Sequence, residues 1–184
     1  ETCGADIISY GMSENTVLRI ADLIHNNKYD QLFQIKGIAH RKTGIIEKVS
    51  KDNIKELPGL EDIRENKNSF LKVTQEIYRY SQTHSPYYIV QKQLKHTVIV
   101  NPPAERLTTI EMNKVYSLPF TYRPVPETEH FIKAFETVRN TVVTHRGCAG
   151  GCSFCSITIN QGKKISARSP ENIRQEIIRR KLNT

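Results

Sequence analysis

The sequence is poor in several features, and each shortage narrows what the chain can be. Its 184 residues include no tryptophan, two methionines and 38% hydrophobic residues, which predicts a modest core beneath a large surface. No run of 18 apolar residues occurs, so no membrane-spanning helix is predicted. The chain opens without a signal-peptide pattern and has only four cysteines. A secreted disulfide scaffold therefore fits poorly, and a reducing cytoplasm is indicated.

Acidic residues are scarce relative to basic ones. The chain has 27 Lys and Arg against 19 Asp and Glu, a formal net charge of +8. Seven of these basic residues fall within residues 160–184, against only Glu171 and Glu176. A nucleic-acid partner would use such a patch, but a solvated helix face is the favoured interpretation. Arg168 stands just before a predicted helix, where it could hold an anion or form a structural ion pair.

Three of the four cysteines lie close together, at Cys148, Cys152 and Cys155. They follow an apolar, β-branched segment at residues 141–144, which predicts a buried strand leading into a glycine-rich loop. Three thiolates on so short a loop can converge on one metal centre. Because a cubane iron–sulfur cluster has four irons, three cysteines would leave one iron open to a substrate.

Other metal sites fit these cysteines less well. A zinc site usually has four Cys or His ligands in two pairs, and no second C-x2-C pair occurs. His145 could supply a fourth ligand, although it lies on the strand side of the loop. A ferredoxin-type carrier needs a fourth cysteine, for which only Cys3 is left. An open cluster is the favoured hypothesis, ahead of zinc and of inert thiols.

The cysteine spacing, with an aromatic residue before the third cysteine, resembles the signature of the radical S-adenosylmethionine (radical SAM) superfamily. Several further segments narrow this resemblance to the YgiQ family of radical SAM proteins. They are residues 146–158, 166–173, 9–12, 100–104 and 107–109. The resemblance extends over nearly the whole chain.

This resemblance implies a chemistry. Cys148, Cys152 and Cys155 would hold a [4Fe-4S] cluster, and SAM would chelate the open iron with Phe154 beside its adenine. The alternative for Phe154 is ordinary core filling. One electron, from a donor such as flavodoxin or ferredoxin, would then cleave SAM to methionine and a 5′-deoxyadenosyl radical. The substrate cannot be predicted. The competing hypothesis is a non-catalytic module that binds zinc or an iron–sulfur cluster and contacts RNA through its basic tail.

The resemblance also implies an α/β fold in three parts. Residues 1–51 would end an open, Rossmann-like domain similar to cobalamin-binding domains, although no Asp-x-His-x-x-Gly pattern supports cobalamin binding. Residues 52–135 would connect it to residues 136–184, the first strand, cluster loop and helix of a radical SAM partial α/β barrel. The chain is expected to be an internal fragment, inactive alone, because further SAM-binding elements would lie beyond Thr184.

Local patterns predict the secondary structure. Apolar spacing and capping residues predict helices after Ser13, across residues 69–81, from Thr108 to about Ser117, and after Ser169. Predicted strands cover residues 5–10, 32–39, 45–49, 87–90, 97–100 and 138–144.

Overall fold

The computed structural model describes residues 4–41, 43–80, 84–125 and 132–181, without the side chains of residues 43 and 45. The chain divides into two compact units. The first comprises Glu1–Arg106 and Gly147–Lys164, and the second comprises Leu107–Arg146 and Ile165–Thr184. The domain boundaries predicted after residues 51 and 135 stay a prediction, since these units interleave along the chain.

The described residues form short strands and helices. In chain order they are β1 (Ile7–Ser9), α1 (Glu14–His25), α2 (Tyr29–Leu32), β2 (Ile38–His40), β3 (Ile54–Leu57), α3 (Leu60–Glu65), α4 (Lys67–Tyr80), β4 (Tyr88–Gln93), β5 (His96–Val100), α5 (Thr109–Tyr116), α6 (Phe135–Val138), β6 (His145–Arg146), α7 (Ile157–Gln161), β7 (Ser166–Ala167) and α8 (Pro170–Arg179). Two 3₁₀ helices cover Thr43–Lys48 and Lys51–Asn53. Within these described segments, every helix is too short or too polar to cross a lipid bilayer.

A five-stranded sheet organises the first unit, in the order β1-β2-β5-β4-β3. Only β3 and β4 pair in parallel, and the other three pairings are antiparallel. The α/β class is therefore confirmed, but the sheet is mostly antiparallel and does not show the expected Rossmann-like arrangement. A Rossmann βαβ unit joins parallel strands, whereas β1 and β2, which flank α1 and α2, run antiparallel.

One predicted strand in this unit is wrong, and another is confirmed only at its end. Leu32 still belongs to α2, residues 33–37 lie in turns, and β2 begins only at Ile38 within the predicted strand 32–39. The reason is that the carbonyls of Phe33 and Ile35 accept hydrogen bonds from the Asn101 side chain, at 2.9 and 2.8 Å, and not from a neighbouring strand. Residues 45–49 fall largely in a 3₁₀ helix.

Other predictions in this unit are confirmed. Helix α1 follows Ser13, and the predicted helix across residues 69–81 is α4, with Ser81 outside the described residues. The predicted strand pair is the β4–β5 hairpin. Helix α4 buries Val73 against Leu57 and Ile89 of the sheet, and these three side chains form the centre of a small core.

The second unit contains α5, α6, α8 and the two-residue strands β6 and β7, which pair antiparallel. The capping box predicted for α5 is confirmed, because Glu111 N–H donates to Thr108 Oγ1 and Thr108 N–H donates to the Glu111 carboxylate. Ser169 caps α8 as predicted, by accepting a hydrogen bond from the Asn172 N–H.

The strand predicted across residues 138–144, the presumed first strand of a parallel barrel, is wrong for this structure. Residues 135–138 form a helical turn, and residues 141–144 belong to no strand of the described part of the chain. The Thr141 carbonyl accepts a hydrogen bond from the Arg180 side chain, and the Val143 carbonyl accepts one from the Arg168 side chain. The Thr144 carbonyl accepts one from the Arg168 backbone N–H, next to the β6–β7 pair. Two arginine side chains thus take the place of a strand ladder at Thr141 and Val143.

Candidate metal centre

The three cysteines lie on an irregular loop of the first unit that closes onto α7. Cys148 N–H donates to the Gly162 carbonyl at 3.2 Å, and the buried Thr158 hydroxyl donates to the Cys148 carbonyl at 3.2 Å. Gly147 N–H donates to Gln161 Oε1 at 3.1 Å. Both ends of α7 are therefore tied to the start of the loop, which fixes where Cys148 leaves the backbone.

Gly150 lies between the first two thiols. Its N–H donates to Cys148 Sγ at 3.4 Å. A Cβ built on Gly150 would lie 3.5 Å from Cys148 Sγ and 3.7 Å from Cys152 Sγ. Glycine thus leaves open the space next to both sulfurs that any other side chain would occupy. A backbone N–H directed at a thiolate is also a means by which proteins tune iron–sulfur potentials.

All three cysteines are free thiols; Cys148 and Cys155 are half-buried and Cys152 is exposed. Among the residues that the structure describes, no three His, Cys, Asp or Glu side chains are grouped closely enough to hold a metal ion as they stand. The donor set nevertheless fits an iron–sulfur cluster, because soft thiolates come from one loop with an open space beside Gly150. Binding would have to bring the three sulfurs closer together than they stand in this structure.

Cys3 and His145 are the two residues considered as a fourth ligand. Cys3 lies outside the described residues. His145 lies on β6, where its Nδ1 is 2.9 Å from the Thr144 hydroxyl oxygen.

Phe154, predicted to lie beside an adenine, is 91% exposed. The alternative that it fills the core is therefore wrong for the described chain. An aromatic ring held on the surface next to Cys155 is available for stacking.

Asn101 is a structural centre that the sequence did not reveal, although its segment carried part of the family resemblance. The residue is 1% exposed. Its Nδ2 binds two carbonyls of the segment before β2, and its Oδ1 lies 3.1 Å from His40 Nε2. The Tyr10 hydroxyl donates to the Asn101 carbonyl oxygen. The one available signal was the Asn-Pro-Pro sequence, which stops β5 and leaves this asparagine at a strand end.

Burial shifts two pKa values around this centre. Desolvation raises the pKa of Tyr10 well above its ordinary value of 10. Desolvation also lowers the pKa of His40, and hydrogen bonds to the Asn101 side chain and the Phe33 backbone only partly oppose that shift. Both side chains are therefore uncharged at neutral pH and act as hydrogen-bonding groups of the fold.

Segments from three parts of the sequence meet beside α7. Gly11, Ala104 and Asn160 contribute to one small cavity, and a Cβ on Gly11 would lie 3.2 Å from the Asn160 carbonyl oxygen. The segments around Gly11 and Ala104 are two of those that carried the resemblance. Both segments lie against α7, which follows the cysteine loop, and so both help to position it.

The basic tail is largely occupied by internal contacts of the second unit. Arg168 is fully buried and pairs with Glu176, which also pairs with Arg180 at 3.0 Å. The Arg168 guanidinium carbon lies 4.4 Å from the ring centre of Tyr116. The structural ion pair considered for Arg168 is thus the observed arrangement. Arg174 pairs with a carboxylate of its own helix as well.

The geometry defines an α/β protein with three free thiols on one loop, and comparisons identify its family. Residues 2–141 match the family model described as Radical SAM N-terminal, so the chain belongs to that family. The matched segment ends before Cys148. No solved structure matches the chain.

Curated relatives confirm the resemblance to the YgiQ family, since they are UPF0313 proteins of that family. The chain is 37% identical over 179 residues to one from Methanocella arvoryzae, covering 94% of this chain and 28% of the relative. It is 34% identical over 179 residues to one from Clostridium botulinum, with shares of 96% and 27%. For one from Geobacter sulfurreducens the identity is 32% over 183 residues, with shares of 95% and 29%. The chain thus spans less than a third of the length of these relatives.

Proposed function

We propose that the native protein is a radical SAM enzyme whose [4Fe-4S] cluster is held by Cys148, Cys152 and Cys155. The observation that carries this proposal is the three-thiol loop around Gly150, in a chain that belongs to the Radical SAM N-terminal family. When bound, the cluster and SAM would supply one-electron cleavage of SAM to methionine and a 5′-deoxyadenosyl radical.

The residues of this chain have separate roles in that proposal. Cys148, Cys152 and Cys155 would each bind one iron of the cluster, and the fourth iron would be left for SAM. The Gly150 N–H donates to the Cys148 sulfur and so stabilises its negative charge. The exposed Phe154 ring offers a face on which the adenine of SAM would stack.

The proposal extends to partners and location. An electron donor such as flavodoxin or ferredoxin would reduce the cluster. Cytoplasmic location follows from the chemistry, because free thiols and iron–sulfur clusters persist in a reducing compartment. The RNA-contacting module receives less support, since Arg168, Arg174 and Arg180 are engaged in ion pairs within the second unit.

Anaerobic reconstitution of the native full-length protein with iron and sulfide tests the cluster. About four irons per chain are expected, with an EPR signal that SAM perturbs. The informative pair of variants is Cys152→Ala, which should lose the cluster, and Cys3→Ala, which should keep it with the SAM-perturbed signal. One tightly bound zinc in place of iron would contradict the proposal. Loss of the cluster in Cys3→Ala would show four cysteine ligands and no open iron.

The adenine contact is tested by SAM affinity. Phe154→Ala should weaken SAM binding roughly 5- to 100-fold, the range for losing one base–aromatic stack, without lowering iron content. Phe70→Ala is the matched control, because Phe70 is 60% exposed on α4 and has no role in the proposal. Equal SAM affinity in the Phe154 variant and the control would remove Phe154 from the site.

A further inference from the structure

A cavity of about 340 Å³ lies in the first unit, between the sheet, α4 and the segment that follows the cysteines. Its volume is at the lower end of the range for small-molecule sites. Ile89, Val98 and Val100 line it from one face of the β4–β5 hairpin. Ile77 and Tyr80 line it from α4.

The third wall links this cavity to the cysteine loop. Ser156, which immediately follows Cys155, lines the cavity together with Ile159 and Asn160. The spacing of these residues at i, i+3 and i+4 places them on one face of α7 and its N-cap. A molecule in the cavity would therefore touch the residue next to a proposed cluster ligand.

The side chains that line the cavity favour an uncharged ligand. None of the fifteen described residues that line the cavity is Asp, Glu, Lys, Arg or His. Burying an ionic ligand without a counter-charge is costly, so phosphates, carboxylates and ammonium compounds fit poorly. Two polar side chains of the lining are engaged within the protein: Gln91 Nε2 donates to the Pro58 carbonyl at 2.9 Å, and Gln93 Nε2 donates to Gln91 Oε1 at 3.1 Å.

Aromatic rings form one side of the cavity. Tyr80 and Tyr87 meet edge-to-face, with ring centres 4.9 Å apart. The Lys55 ammonium nitrogen lies 4.5 Å from the centre of the Tyr87 ring, which helps to fix that ring. The pair therefore forms a fixed, largely apolar wall for a ligand.

From these observations we infer that the cavity binds a neutral, largely apolar small molecule and presents it beside the cysteine loop. That this molecule is the substrate rests on the proposed function. Binding itself does not require the cluster, and this separates the two proposals experimentally.

The test uses two fluorescent probes on the native full-length protein. N-phenyl-1-naphthylamine is neutral, and 8-anilinonaphthalene-1-sulfonate has the same ring system with a sulfonate added. The neutral probe should saturate one site, and the sulfonate should bind at least about tenfold more weakly. Equal affinities, or no saturable binding of the neutral probe, would overturn the inference; the latter includes a cavity filled by the protein's own chain.

Substitutions locate the bound probe. Val98→Phe should fill the cavity and weaken the neutral probe at least about tenfold. Thr97→Phe is the matched control, because Thr97 is the neighbouring half-buried residue on the opposite face of β5. Gln93→Glu is the second variant should Val98→Phe fail to fold. It brings a charge into the cavity wall and should also weaken binding of the neutral probe. Lys92→Glu is its control. Equal probe affinities within the pair tested would overturn the inference.

The cluster is tested separately in the same preparations. Cys152→Ala should lose iron and still bind the neutral probe with its affinity changed less than about threefold, because Cys152 does not line the cavity. If iron never binds while the Val98→Phe effect is observed, the proposed function fails and the ligand site stands. If iron binds normally while the Val98 and Thr97 variants behave alike, the ligand site fails and the proposed function stands.

Discussion

Gly147→Ala should disrupt the start of the cysteine loop. Gly147 has φ +89°, and a Cβ at this position would lie 2.5 Å from the Lys164 carbonyl oxygen. The left-handed backbone costs an alanine about 1–2 kcal/mol. Overpacking against a backbone atom costs about 1–3 kcal/mol more. The free energy of local opening should therefore fall by about 2–5 kcal/mol, because the hydrogen bonds between the loop and α7 must break to relieve the overlap.

Hydrogen exchange measured by mass spectrometry is the appropriate assay, because it reports local opening within the native protein. Amides in residues 147–164 should exchange roughly 30-fold to several thousand-fold faster in Gly147→Ala. Gly150→Ala is the matched control: its Cβ meets only the two sulfurs at ordinary contact distances. That variant should exchange as the parent protein does but bind less iron, since the Cβ occupies the space beside the thiols. Unchanged exchange in Gly147→Ala, or an equal change in both variants, would refute this reasoning.

Three further predictions concern buried polar groups. Asn101→Asp should lower stability by about 2–4 kcal/mol in denaturant unfolding, because two carbonyls lose their donor and face a carboxylate. Glu176→Gln should cost about 3–5 kcal/mol in the same assay, because it leaves the buried Arg168 without its counter-ion. The lowered pKa of His40 predicts full stability above about pH 6.5 and loss of stability as the pH falls below it, since the unfolded chain then binds the proton more tightly. Unfolding midpoints between pH 7.5 and pH 5 measure this dependence.

Each of these predictions has a control. Asn68→Asp changes an exposed residue in the first turn of α4 and should leave stability unchanged or slightly raised. Glu171→Gln removes an exposed ion pair and should leave the unfolding midpoint nearly unchanged. In His40→Gln the loss of stability between pH 7 and pH 5 should shrink. A control that behaves like its test variant, or a pH dependence that survives His40→Gln, would contradict the corresponding argument.

Local sequence patterns predicted the secondary structure correctly where residues close in sequence supply the hydrogen-bond partners of the backbone. The helix that became α4 shows its apolar spacing in the sequence, and Val73 on that stripe is buried as expected. The caps at Thr108 and Ser169 use side chains within three residues of the groups they bind. The β4–β5 hairpin pairs residues that are close in sequence.

Prediction failed where distant side chains replace backbone partners. Residues 138–144 have strand composition, yet Arg168 and Arg180 bind the carbonyls that a neighbouring strand would have used. Residues 33–37 do not form the predicted strand, because Asn101, more than 60 positions away, binds two of their carbonyls. A strand needs a partner, and no pattern within these segments reveals whether one is present.

The sequence by itself determined the family resemblance, the sulfur donor set and the elements with strong periodicity, because each depends on residue identity at fixed spacing. Only the tertiary structure decided the mostly antiparallel sheet, the exposure of Phe154, the space beside Gly150 and the uncharged cavity next to Cys155. These features arise from contacts between residues far apart in the chain. Spacing along the sequence does not encode such contacts, since their free energy depends on which surfaces fold together.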